Sequence, residues 1–316
     1  MKKIIIGIHG LKNKPPKTYL ENNWIKAIKE GFSVHGFSDL DFDFALVYWA
    51  DLEYEEPLNP SLKDETHPLY LERPYAPYLP LVQKTDGSIK KKLLDSLESA
   101  MDKLYLREEG IEGLEAVTDL AIRKMFADLH VYYHGNCKLK KEVKARDGFR
   151  QKLVEVIQKY SNYKIMLIAH SMGSIIAYDT LTQVLPDQKI DTFITVGSPL
   201  GLPVIIKKIL EEQNIGVSLK SKPKTPESIQ NKWLNFSDLD DTVAMNYNLT
   251  DDYLPNTKNV KPIDFVINND YEYNGQKNPH NVYGYLRCNE LTQEIFTFLF
   301  RRENFLNRIC KKLGVK

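Results

Sequence analysis

One segment of the sequence constrains the fold more than any other. Residues 164–169 form a short apolar run that predicts a buried strand, and residues 172–184 carry the apolar spacing of a helix. Between them, two small residues, Ala169 and Gly173, stand two positions either side of Ser171. A serine on so sharp a turn needs small neighbours, and its hydroxyl is then held out above the sheet. The segment therefore predicts a parallel sheet whose strands are joined through helices.

The rest of the chain repeats this alternation of strand and helix. Apolar, β-branched runs predict strands, and apolar residues three to four positions apart predict helices. The predicted strands are residues 3–8, 43–49, 164–169, 190–196, 231–236 and 263–267. The predicted helices are residues 18–31, 142–161, 172–184, 203–213 and 289–313, the last as one helix or two. Such a chain forms a mainly parallel sheet, with its site beyond the carboxyl ends of the strands.

Length and composition favour one globular domain over residues 1–316. Hydrophobic residues make up 42% of the chain and charged residues 27%, which is ordinary for a globular protein. The formal net charge of +1 gives no reason to expect a nucleic-acid partner. Three cysteines do not suggest a disulfide framework, so we expect a cytoplasmic protein. No run approaches the roughly 18 apolar residues that a membrane span needs.

Residues 51–141 interrupt the alternation. The stretch 51–87 is rich in proline, tyrosine and acidic residues and shows no periodicity. Helical spacing of apolar residues returns at 88–106 and at 114–133. We expect an insertion in the α/β pattern, either a cap that covers the site and governs substrate choice or an ordinary peripheral layer of helices.

The candidate base is His280. A serine hydroxyl is a weak nucleophile at neutral pH, so it needs a base within hydrogen-bond reach and an acid that orients the base. On a chain with this kind of serine turn, the order is serine, acid, histidine. Of the seven histidines, His280 alone follows Ser171, and it lies in a loop-like stretch, 278–281, just before a helical pattern.

The candidate acid lies in the loop after a late strand. Asp238, Asp240 and Asp241 all follow the strand predicted over residues 231–236. A cluster of aspartates can also bind a cation, but the regular ligand spacing and turn glycine of such loops are not present here. The residues alone leave the choice among the three carboxylates open.

The oxyanion of an acyl-transfer reaction needs backbone N–H donors. Met172 directly follows the serine and supplies the first candidate N–H. Leu11, which follows the first strand, supplies the second, and Gly10 permits the close approach of that backbone. The candidate substrate-binding residues, all near strand ends, are His9, Gly10, Pro199 and Leu200.

We expect no cofactor and no metal. His130, His134 and Cys137 have the spacing of a partial metal site, but no fourth ligand is evident. Residues 301–316 are basic and amphipathic, which is typical of a segment that docks on a membrane surface. The favoured alternative is a C-terminal helix that packs on the sheet and keeps its basic face in water.

Three segments resemble bacterial lipase-like α/β-hydrolases and, distantly, the intracellular phospholipase A1 family with the DDHD domain. They are residues 169–179, the turn 197–200 and the stretch 233–244. In those relatives the acid segment ends Asp-Pro-Val-Ala, which residues 241–244 match with threonine in place of proline. The resemblance implies an α/β-hydrolase fold and favours Asp241 as the acid, with Asp238 as the alternative. It also implies that His9-Gly10 opens an oxyanion loop and supports the roles of Ser171 and His280.

Together, these features predict a serine hydrolase, esterase-like or lipase-like, that cleaves a carboxylic ester of a small molecule or lipid through an acyl-enzyme. A thioesterase or an acyltransferase with the same three residues is the first alternative. The second is a non-catalytic module of the same fold that binds lipid or protein. The presence of serine, aspartate and histidine in the expected order argues against this second alternative.

Overall fold

The computed structural model describes residues 1–78, 129–215, 221–244 and 247–300. Helices cover both faces of a six-stranded parallel sheet, which is the predicted α/β-hydrolase fold. The strands are β1 (Lys3–Ile8), β2 (Asp43–Val47), β3 (Lys164–His170), β4 (Ile190–Val196), β5 (Ile229–Asp238) and β6 (Pro262–Ile267). They lie in the order β2-β1-β3-β4-β5-β6, and every neighbouring pair is parallel. Their carboxyl ends therefore meet at one edge of the sheet.

Five of the helices below follow the prediction over most of their length, and two short ones, over residues 249–252 and 282–287, were not predicted. They are α1 (Lys17–Val34), α2 (Ala145–Lys159), α3 (Met172–Asp179), α4 (Pro203–Glu212), α5 (Leu249–Asp252), α6 (Val282–Arg287) and α7 (Asn289–Phe300). A π-helical turn, Thr180–Val184, continues α3. A small hairpin, β7 (Glu272–Tyr273) and β8 (Gln276–Lys277), precedes α6. None of the helices in the described ranges is both long and apolar enough to cross a membrane.

The central strands are buried on both faces because a helical layer covers each face, whereas the edge strand β6 leaves Ile263 and Val266 exposed. Side chains alternate along β1, so that Ile4 and Ile6 pack on one side of the sheet and Ile5 on the other. The first side is covered by α2, α3 and α4, and the second by α1, α6 and α7. Two hydrophobic clusters thus hold the sheet rigid between them and support the strand ends that carry the site.

The ends of the predicted insertion pack on this domain. The end of the stretch 51–78 contacts α1, where the hydroxyl of Tyr75 and the backbone N–H of Tyr78 both donate to the Glu30 carboxylate. Buried Arg287 also donates to Glu30. The predicted helix over 88–106 lies outside the described residues, as do most of the helix over 114–133 and the basic stretch 301–316. The expectation that the insertion acts as a cap therefore stays a prediction.

Candidate active site

Ser171 occupies a strained turn between β3 and α3. Its φ of +55° and ψ of −129° lie in a region that residues other than glycine rarely adopt. Hydrogen bonds hold the turn, because the Ser171 N–H donates to the Val196 carbonyl at 3.1 Å and the Ser174 N–H donates to the Ser171 carbonyl at 2.8 Å. Strain of this kind persists only where the surrounding structure fixes it, and such positions cluster at functional sites.

Glycines allow the end of β1 to approach this turn closely. A Cβ added at Gly173 would lie 2.8 Å from the carbonyl oxygens of Ile8 and His9. A Cβ added at Gly10 would lie 2.7 Å from the Cβ of Ser171. Both distances are shorter than real contacts allow, so a larger residue at either position would push the turn and the β1 loop apart. This packing explains why position 173 of the sequence motif holds a glycine.

His280 connects the serine to a carboxylate. Its Nε2 lies 3.0 Å from Ser171 Oγ, and its Nδ1 lies 2.8 and 2.9 Å from the two carboxylate oxygens of Asp241. Ser171 lies in the turn after β3, His280 in the loop before α6 and Asp241 in the loop after β5. All three positions are at the carboxyl edge of the sheet. The structure therefore joins the three residues in one hydrogen-bonded chain.

The Asp241 carboxylate is completely buried and well supplied with donors. Besides His280, it accepts from the Tyr285 hydroxyl at 2.8 Å and from the Val243 N–H at 2.9 Å. Burial alone would raise the pKa of this carboxyl, but the positive charge of His280 and the hydrogen bonds from His280, Tyr285 and Val243 outweigh burial and lower it. Asp241 is thus held as a carboxylate facing the imidazole.

The other two aspartates of the loop have different environments. Asp238 accepts from the backbone N–H groups of Asp240 and Asn269, at 2.7 and 2.6 Å, and so shapes the loop. Its burial raises the pKa of its carboxyl in spite of these bonds. Asp240 has an exposed side chain. Of the three candidate acids, only Asp241 contacts His280 through its side chain.

A glycine at the end of β4 makes room for this contact. Gly197 has a φ of +54°, and an added Cβ would lie 2.9 Å from Asp241 Oδ2 and 3.1 Å from His280 Nδ1. Any side chain there would separate the acid from the imidazole. The only sequence signal for this role is a glycine directly after a buried strand, in the turn that also resembles lipase-like hydrolases.

Met172 and Leu11 flank Ser171 as candidate oxyanion donors. Met172 begins α3, and the Leu11 backbone follows Gly10, which approaches the serine closely. Within the described ranges, neither N–H donates to another protein atom. Two N–H donors without a protein partner, beside a candidate nucleophile, are the arrangement that oxyanion stabilisation needs.

The remaining predicted site residues are buried. His9 donates through Nδ1 to the Gly10 carbonyl at 2.8 Å and accepts at Nε2 from the Trp49 N–H at 3.1 Å. Burial, followed by the nearby Lys14 charge, lowers the pKa of His9 well below its usual value, so His9 is neutral and shapes the loop. Pro199 and Leu200 are also buried, and the Leu200 carbonyl accepts from the Tyr253 hydroxyl at 2.9 Å.

The side chains of His130, His134 and Cys137, which have the sequence spacing of a partial metal site, do not form a metal-binding group in the described part of the chain. The rings of His130 and His134 lie 5.0 Å apart, centroid to centroid, and Cys137 is buried. Across the described ranges, no three or more side chains of histidine, cysteine, aspartate or glutamate form a group that could hold a metal ion.

Tyr285 is a contributor to the site that the sequence analysis missed. Its hydroxyl donates to Asp241 and accepts from the Asp238 N–H at 3.0 Å, so it joins the two aspartates. We expect Tyr285→Phe to lower the free energy of unfolding by about 1–3 kcal/mol, because it leaves a buried N–H and a buried carboxylate oxygen short of a partner. Chemical denaturation measures this loss. Tyr271→Phe is the matched control, since Tyr271 is also buried but donates to the Pro74 carbonyl instead.

The effect of Tyr285→Phe depends on pH in a defined direction. The hydroxyl donates to the ionised carboxylate and helps to lower the pKa of Asp241. The stabilisation that this hydrogen bond supplies is therefore present above about pH 3.9, the ordinary aspartate pKa. It is lost as the pH falls through the lowered pKa of Asp241 in the folded protein. The stability difference between wild type and variant should shrink in acid. A difference that grows in acid would contradict this assignment.

A family model described as lecithin:cholesterol acyltransferase matches residues 140–232. The matched stretch includes α2, β3, the Ser171 turn and β4, and it ends before Asp241 and His280. The match supports placing the chain among lipase-like α/β-hydrolases. It gives no support to the resemblance to the DDHD family. No curated protein and no solved structure matches the chain.

Proposed function

We propose that this protein is a serine esterase that cleaves a carboxylic ester of a lipid through an acyl-enzyme. The observation that carries the proposal is the hydrogen-bonded chain from Ser171 Oγ through His280 to the buried Asp241 carboxylate. The family match to lecithin:cholesterol acyltransferase supports a lipid ester as the substrate class. The strained serine turn and the two unpartnered N–H groups beside it support the same chemistry.

Each residue has a defined part in the proposed reaction. Ser171 Oγ attacks the ester carbonyl carbon while His280 Nε2 takes the hydroxyl proton. Asp241 accepts from Nδ1, which fixes the tautomer and stabilises the imidazolium that forms. The N–H groups of Met172 and Leu11 donate to the oxyanion. The imidazolium then gives its proton to the departing alcohol, and a water molecule, activated by His280, hydrolyses the acyl-serine.

An acyltransferase is the second candidate, and the family match supports it equally. The first half of the reaction is unchanged, because Ser171 takes the acyl group in the same way. An acceptor alcohol then replaces water as the nucleophile that attacks the acyl-serine. Product analysis with a lipid ester, in the presence and absence of an added alcohol, distinguishes the two: a hydrolase releases the free acid, whereas a transferase forms a new ester.

A fluorophosphonate probe tests the nucleophile directly. We expect it to label the wild-type protein once, on the peptide that contains Ser171, because the reaction needs a serine activated by a base. Mass-spectrometric peptide mapping locates the label. Ser198 is the matched internal control, since its buried hydroxyl is bonded to Ser174 Oγ at 2.8 Å. A folded protein that never labels would favour the non-catalytic binding module.

A further inference from the structure

The residue immediately before the nucleophile contacts the base. His170 ends β3, and its Nε2 donates to the main-chain carbonyl of His280 at 2.9 Å. The two imidazole rings lie 4.8 Å apart, centroid to centroid. A residue covalently attached to Ser171 therefore holds the backbone of the residue that activates Ser171.

The loop that carries His280 is held at three successive carbonyls. Asn269 donates through Nδ2 to the carbonyls of Pro279 and Asn281, at 2.9 and 2.8 Å. His170 supplies the donor for the carbonyl between them. The Asn269 bonds anchor the loop to the end of β6, whereas the His170 bond anchors it to the serine turn. Only the second anchor ties the base to the nucleophile.

His170 also touches the candidate oxyanion loop. A Cβ added at Gly10 would lie 3.2 Å from His170 Nδ1, so the ring packs against the backbone that precedes Leu11. The same imidazole thus contacts the His280 ring on one side and the Gly10 loop on the other. A change in its position would move the base, the oxyanion donor or both relative to Ser171.

The charge state of His170 suits this place. Burial, followed by the His280 charge, lowers the pKa of His170 to about 3. The Lys14 charge contributes to this lowering, whereas the hydrogen bond to the His280 carbonyl and the Asp241 charge oppose it. His170 is therefore neutral at neutral pH, with its proton on Nε2 because the partner there is a carbonyl. The ring puts no second cation beside the imidazolium that His280 would form.

We propose that His170 is a positioning residue, whose Nε2–H ties the His280 backbone to the serine turn and thereby sets the reach of the base to Ser171 Oγ. The inference rests on the proposed function, since it takes His280 as the base. It extends that function to a residue outside the hydrogen-bonded chain of Ser171, His280 and Asp241.

The test begins with His170→Phe, which keeps a ring and removes the donor. We expect kcat on a short activated ester to fall roughly ten- to a hundredfold, because a misplacement on the order of 1 Å can cost about 10²-fold. KM and the melting temperature should change little, since Asn269 still holds the neighbouring carbonyls. A fall in melting temperature with unchanged kcat in the folded protein would overturn the inference.

Two amide variants make the test independent of whether His170→Phe folds. The amide nitrogen of glutamine reaches the place of Nε2, whereas that of asparagine reaches only the place of Nδ1. We expect His170→Gln to recover most of kcat and His170→Asn to recover little. Equal kcat values for the two folded amide variants would overturn the inference, because the donor position would then not matter.

His35→Phe is the matched control. His35 Nε2 also donates to a distant main-chain carbonyl, that of Arg287 at 3.0 Å, between α1 and the end of α6 and away from the serine. We expect His35→Phe to leave kcat unchanged.

Fluorophosphonate labelling of the wild type distinguishes a failure of the proposed function from a failure of the role of His170. Without labelling of Ser171 the proposed function fails, whereas labelling of His170→Phe at the wild-type rate would refute only the role of His170.

Discussion

Ser171→Ala should lower kcat on any accepted ester by about 10⁶-fold, since the loss of a nucleophilic serine has an effect of that order in serine hydrolases. The reason is chemical, because without Oγ no acyl-enzyme forms and His280 has no hydroxyl to deprotonate. Residual turnover would come from the oxyanion donors alone. A stopped assay with a sensitive chromogenic ester, together with fluorophosphonate labelling, measures the loss.

Ser198→Ala is the control for Ser171→Ala. It removes a buried hydroxyl that bonds to Ser174 Oγ and accepts from the Leu200 N–H at 3.2 Å. We expect a stability loss of about 1 kcal/mol and retained labelling of Ser171. Ser171→Ala should keep the wild-type melting temperature. If labelling or turnover survives in Ser171→Ala, the nucleophile is another residue.

Asp241→Asn should lower kcat by about 10⁴-fold while the protein stays folded. An amide does not accept from His280 Nδ1 as a carboxylate does, so the imidazole takes the wrong tautomer. A fall in kcat of this size is typical of serine hydrolases that lack their orienting acid. KM should change far less, because the Asp241 carboxylate is buried away from solvent. Steady-state kinetics on a short ester, with thermal melts alongside, measure both quantities.

The neighbouring aspartates provide the controls. Asp240→Asn should be mild, because the Asp240 side chain is exposed. Asp238→Asn should mainly reduce stability, by roughly 1–2 kcal/mol, since a single amide oxygen cannot accept from the N–H groups of both Asp240 and Asn269. If Asp238→Asn lowered kcat strongly with a normal melting temperature, and Asp241→Asn did not lower kcat, Asp238 would be the orienting acid and Asp241 would not.

The central strands β1, β3 and β4 were predictable because each is buried on both faces. A strand such as β1 has no polar alternation, and its run of isoleucines reads as a parallel strand without any knowledge of its neighbours. The Ser171 turn was equally predictable, since its steric requirements concern residues within two positions of the serine. Patterns of this kind are local, and local patterns survive in the sequence.

Helix α6 was not predictable in the same way. It has six residues, too few for a periodic apolar pattern, and it is separated from α7 by Cys288, whose φ and ψ are extended. Its side chains Tyr285 and Leu286 are fully buried. Packing against the sheet therefore stabilises a helix that would be marginal alone. Tertiary contacts of this origin leave no signal in the local sequence.

The choice of acid depended on turn geometry rather than on residue type. Three aspartates within four positions have similar chemistry, and only the folded loop decides which carboxylate faces His280. The resemblance favoured Asp241, and the structure puts Asp241 in contact with the imidazole. The hydrogen bond from His170 to His280 joins residues 110 positions apart, and that from Tyr285 to Asp241 joins residues 44 positions apart. No spacing rule could therefore identify either bond.

The strained backbone of Ser171 has a consequence for the stability of the fold. A residue other than glycine in such a conformation costs on the order of 1–3 kcal/mol, and glycine adopts a positive φ without this strain. Ser171→Gly should therefore relieve this strain and raise the free energy of unfolding, so the turn holds its serine at a cost in stability.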